Sequence, residues 1–146
     1  MPFPEFNELG DLPAGVHRAS WHDVVEHFGG GTQQRQRCTR ILSHIHDVAV
    51  RTGHLSRFVI FGSYITAKPD PNDVDVILVM DDDFHRDELP LEMQGLFDHA
   101  VAQARFGASV FWVKPSALIG DQVDDFVAHW QVKRDSSKRG IVEVVS

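Results

Sequence analysis

Apolar residues follow two rhythms along this chain, a three-to-four-residue recurrence and short unbroken runs. Trp21, Val24, Val25 and Phe28 share one helical face behind Ser20, whose hydroxyl, with Asp23 beyond it, suits a first-turn cap. Gly29 to Gly31 stop that helix. Thr32 caps a second, in which Cys38, Ile41, Leu42, Ile45, Val48 and Ala49 return at helical spacing until Gly53. Arg57 to Phe61 is a β-branched and aromatic run that predicts a strand buried on both faces. Asp73 to Met80, Ala108 to Val113 and Ile141 to Val145 predict three more strands. One helix is expected over Leu91 to Phe106, closed by Gly107, and a last one over Leu118 to Val132. Pro2, Pro4 and Pro13 make residues 1–19 an extended arm, and Pro69, Pro71 and Asn72 keep Gly62 to Asn72 a loop or a single helical turn. With no repeat and no linker, residues 1–146 read as one α/β (α+β) domain, a small sheet flanked by helices.

Composition narrows the function. A chain of 146 residues hides about two-thirds of its unfolded surface, enough for a real core. Its net charge of -7 argues against a surface that grips RNA or DNA throughout, because such binding rests on many cations neutralising phosphates. One local basic run exists, Lys133, Arg134, Lys138 and Arg139, and it reads as a solvated helix end rather than a triphosphate or RNA contact. Cys38 is the single cysteine, which leaves no disulfide or Cys-based zinc site within one copy. His44 and His46 stand two apart on a helix and diverge, so a histidine metal site is not expected. The first ten residues lack the basic-then-apolar order of a secretory signal and no run matches a membrane span, so the expected address is cytoplasmic, without membrane partners. Trp21, Trp112 and Trp130 are expected as buried anchors. Ser63 lacks the Gly-x-Ser-x-Gly setting of a hydrolase nucleophile.

Chemistry concentrates between Phe61 and Ile77. Alternate residues on a strand share a face, so Asp73 and Asp75 are expected to project together, about 6.5 Å apart at the backbone. Two carboxylates so placed repel unless a cation sits between them, and oxygen ligands of this kind suit Mg²⁺, which also recruits nucleotide phosphates. Gly62 follows a buried strand, where a missing Cβ lets backbone N–H groups approach an anion, and Ser63 adds a hydroxyl. Lys68 is a candidate phosphate contact, though it reads more readily as part of a Pro-rich turn. Asp81 to Asp83 read as a solvated turn rather than a metal site.

Gly62-Ser63, nine intervening residues and Asp73-Val74-Asp75, set between apolar strands, resemble the signature of the polymerase-beta nucleotidyltransferase superfamily. Thr66, Lys68, Pro69, Pro71 and Asn72, the upstream Leu12-Pro13-Ala14-Gly15-Val16-His17 and the late Lys138-Arg139-Gly140-Ile141-Val142 look like a group of small, mostly uncharacterised bacterial members, minimal and antitoxin-like. The resemblance implies a mixed sheet of the nucleotidyltransferase fold, an NTP substrate, two Mg²⁺ ions held by Asp73 and Asp75, and transfer of a nucleoside monophosphate to a protein or RNA hydroxyl. Some minimal relatives act as antitoxins that nucleotidylate a helical toxin, so a toxin partner or a second copy of the chain is expected. The family pattern adds a third acid on a following strand, and Ser109 stands where it is expected. A hydroxyl brings neither the charge nor the proton-accepting capacity of a carboxylate. The competing expectation is therefore a degenerate module that binds nucleotide or a partner without chemistry, unless Asp81, Asp82, Asp83 or a partner supplies the missing acid.

Overall fold

A computed structural model describes residues 3–118 and 122–145. Five strands, β1 (Val16–Ala19), β2 (Leu55–Phe61), β3 (Val74–Met80), β4 (Ala108–Val113) and β5 (Ile141–Val144), form one sheet in the order β1-β5-β2-β3-β4. β5 runs parallel to β1 and antiparallel to β2; β2 and β3 are antiparallel, and β3 and β4 parallel. The sheet is thus mixed. Five helices accompany it: α1 (Trp21–Phe28), α2 (Gln33–Arg51), α3 (Leu91–Gln94), α4 (His99–Phe106) and α5 (Val123–His129).

The two N-terminal helices start where their caps predict. Ser20 and Asp23 form a reciprocal capping box, and the Thr32 side chain accepts from the Arg35 N–H. Cys38, Leu42, Ile45, Val48 and Ala49 bury one face of α2, and His46 stands edge-on to Phe58 of β2 at 4.8 Å between ring centres. Val74, Val76, Ile77, Leu78, Val79 and Met80 are all fully buried, so β3 lies at the centre of the core.

Three expectations change. Leu91 to Phe106 is not one helix: α3 passes into a 3-10 turn at Gly95–Phe97, and α4 starts anew behind Asp98, whose carboxylate accepts from the Val101 N–H. Asp98 sits in extended backbone (φ -117°, ψ 114°), the conformation of an N-cap. The expected last helix, Leu118 to Val132, spans Val123–His129 among the described residues, and part of its predicted start lies outside them. The N-terminal arm ends in a paired strand and is anchored in the core, with Phe3 and Leu12 both buried. The three tryptophans are partly buried against the core.

Candidate functional site

The turn after β2 owes its shape to a glycine. Gly62 lies at φ 83°, ψ -162°, a region essentially reserved for glycine, and a Cβ placed there would overlap Oδ2 of Asp75. The backbone of this turn and the Asp75 carboxylate are therefore in immediate contact. Ser63 opens the 3-10 turn Ser63–Ile65, which closes when the Thr66 N–H and hydroxyl both donate to the Ser63 carbonyl at 3.2 and 2.7 Å.

The first turns of α2 hold the rest of this loop. Arg35, with 8% of its surface exposed, donates to the carbonyls of Phe28 (3.1 Å), Tyr64 (2.6 Å), Thr66 (2.9 Å) and Lys68. Thr32 donates to the Pro69 carbonyl at 2.6 Å, and Gln34 to those of Pro71 and Asn72 at 2.8 and 3.2 Å. The loop needs no regular structure because the helix satisfies its carbonyls. Arg35 escaped the motif-based reading. Its signal was present, however: an arginine three residues before Cys38, on the stripe that buries Cys38, Leu42 and Ile45.

Asp75 is the second residue of β3, paired with Phe61 of β2 and Ser109 of β4, so the three side chains share one face of the sheet. Asp73 lies just before the strand begins. Burial, then the charge of Asp73, pushes the Asp75 carboxyl up to about 6, while the Ser109 hydroxyl and the Arg139 charge pull it partly back. Burial also raises Asp73. Asp73 is thus close enough to oppose the ionisation of Asp75.

Two adjoining hollows frame these groups. One, of about 570 Å³, is lined by Phe61, Gly62, Asp75, Trp130, Lys133 and Arg139 among others. The second, of about 590 Å³, includes Ser63, Thr66, Lys68, Asp11, Lys133 and Arg139. Gly62 and Asp75 therefore open onto one hollow, Ser63 and Lys68 onto its neighbour, and Asp73 stands outside both linings. Lys133 and Arg139 are common to both. The sequence suggested a solvated helix end for the basic run; instead, a loop tied by a Val132–Lys138 bridge carries these two residues to the hollows.

Asp81 to Asp83 lie too far from Asp75 to join its carboxylate. They follow the far end of the seven-residue β3, about 20 Å along the strand direction from Asp75. Asp81 accepts from His54 Nδ1 at 2.9 Å, and Asp82 accepts from the Ser116 N–H. Ser109 does stand beside Asp75, where the third acid was expected. Among the described residues, no group of three or more His, Cys, Asp or Glu could hold a metal ion by itself, and no helix is long and apolar enough to cross a membrane.

The two flanking sequence motifs meet in space. The Gly140 N–H donates to the Leu12 carbonyl at 2.8 Å and the Ile141 N–H to that of Gly15 at 3.0 Å, and a Cβ on Gly140 would overlap the Pro13 carbonyl. Residues 12–17 and 138–142 thus form one unit, which puts Arg139 at the hollows. No curated protein and no solved structure matches this chain. A family model does match it, over residues 4–145, and the chain belongs to that family, a family of unknown function designated DUF6932.

Proposed function

We propose that the paired hollows bind a nucleoside triphosphate with Mg²⁺, and that the protein is a nucleotidyltransferase moving a nucleoside monophosphate to a protein or RNA hydroxyl. One observation carries this reading: the Asp75 carboxylate is pressed against the bare backbone of Gly62, beside Asp73, at a hollow walled by cations. Half-buried acids, one of which raises the pKa of the other, fit a divalent cation, and two carboxylates are a normal protein share for Mg²⁺, which keeps waters and takes its other oxygens from phosphate. Bound there, Mg²⁺ would offset phosphate charge and acidify an attacking hydroxyl.

The chain's own groups divide the remaining work. Asp73 and Asp75 would hold the ion, while the Gly62–Ser63 turn and the Ser63 hydroxyl would receive a phosphate bridged through that ion. Lys68, exposed at the rim of the second hollow, would meet the tail of the triphosphate. The acceptor would come from outside, from a toxin-like partner protein, an RNA end or a second copy of this chain. Incubation with each labelled NTP and candidate acceptors should give label transfer that Asp73→Ala and Asp75→Ala abolish; no transfer with any combination would remove the enzyme claim.

A second reading, a nucleotide-binding module without turnover, draws on Ser109. In register with Asp75, it supplies a hydroxyl where proton removal calls for a carboxylate. Calorimetry separates the two: binding of Mg²⁺ and NTP without transfer supports the module, and acid-dependent turnover excludes it.

A further inference from the structure

Lys133 and Arg139 occupy an unusual position, because they form the wall between two hollows and are fixed from behind by one buried carboxylate. Asp11, whose side chain is 6% exposed, accepts from Lys133 Nζ at 2.9 Å through one oxygen and from an Arg139 guanidinium nitrogen at 3.3 Å through the other. Two cations share one anion, so the trio keeps one positive charge. Both cations remain about a quarter exposed, 24% and 26%, on the side that faces the hollows.

The mounting is rigid for a surface loop. The Arg139 N–H donates to the Gln131 carbonyl, the Lys133 N–H to that of Ser137, and the Gly15 N–H to the Gln131 side chain. The arm carrying Asp11 is itself tied to the Ser63–Lys68 loop, because the Ala67 N–H donates to the Gly10 carbonyl at 2.8 Å. Arm, basic loop and phosphate-side turn are therefore braced against one another. Of the other acids on these walls, Asp135 is engaged by the Ser137 hydroxyl and N–H. Glu8 lies on the outer hollow.

We infer that Lys133 and Arg139, held by Asp11, form a polyanion clamp that receives a chain of phosphates running from the Asp75 hollow into the Ser63–Lys68 hollow. Naming the triphosphate of a nucleotide as that polyanion rests on the function proposed above; the clamp itself rests on the cations. A prepositioned Arg and Lys bind phosphate oxygens through charge-assisted hydrogen bonds, with less ordering cost than free surface side chains.

The experiment is calorimetry of the full chain with inorganic tripolyphosphate, free of divalent metal, beside the same titration with Mg²⁺ and NTP. Wild type should bind tripolyphosphate, with an affinity that falls as salt rises. Lys133→Ala and Arg139→Ala should each weaken it about tenfold, whereas Lys138→Ala, an exposed neighbour outside both hollows, should not. If Arg139→Ala does not fold, Arg139→Lys retains a charge for Asp11 and should lose part of the affinity, having lost the planar fork. Absence of tripolyphosphate binding in wild type, or equal affinity in folded Lys133 and Arg139 variants, overturns the clamp. Tripolyphosphate binding that depends on both residues supports the clamp even where no Mg²⁺–NTP binding is seen, an outcome that sinks only the nucleotide reading. Mg²⁺–NTP binding at equal strength in all variants does the reverse.

Discussion

At the scale of single residues, Asp75 sets the site's dependence on pH. Its folded-state pKa, about 6, lies above the ordinary 3.8, so the native chain holds this proton more tightly than the unfolded chain does. The ionised form consequently costs stability, fully above the folded value, and the cost fades as pH falls from 6 toward 4. Asp75→Asn should therefore raise the melting temperature at pH 8 and lose that advantage near pH 4, as thermal denaturation across this range will show. Added Mg²⁺ should stabilise wild type above pH 6, lose its effect below as protons compete, and do little for the variant. Asp75 and Gly62 were legible in the sequence as neighbours in a motif. Their contact was not, because it depends on the register of β2 against β3, which local spacing leaves open. Ser109 was singled out in the sequence too, and it pairs in register with Asp75.

Among elements, α2 acts as the template for the Ser63–Lys68 loop. Arg35 spreads its guanidinium over four carbonyls, and three of them belong to residues 64–68. Arg35→Met would leave those acceptors without partners in a mostly dry setting, at a cost of about 3 kcal/mol. A urea denaturation curve should show that loss together with weaker tripolyphosphate binding. Arg35→Lys should not restore it, because an ammonium cannot match the fork of a guanidinium. Helix starts at Ser20 and Thr32 could be read in advance because their signals are local. The split after α3 could not, since Met93, Leu96, Phe97, Ala100 and Val101 keep one period across a break that Asp98 imposes by capping. Lys133 and Arg139 escaped for a related reason: a run of cations has no period from which to tell solvent from a hollow.

For the molecule as a whole, β5 is the element on which closure depends. It lies between β1 and β2, and its Glu143 takes a bidentate pair from Arg57, both largely buried at 9% and 15% side-chain exposure. Removing residues 140–145 would open the β2 edge, leave Arg57 without Glu143 and free the arm. Such a truncation should show no cooperative transition in urea, and a sigmoidal curve of wild-type steepness would contradict the prediction.

That placement also bears on how the protein is made. Sequence separation between β1 and β5 is 125 residues in the Val16–Ile141 pairing, so strands far apart in the chain lie side by side in the sheet. While translation proceeds, β2 must wait with one side uncovered until Ile141–Val144 clear the ribosome, and the hollows cannot assemble before then. Until β5 has docked, the uncovered side of β2 is open to wrong strand partners.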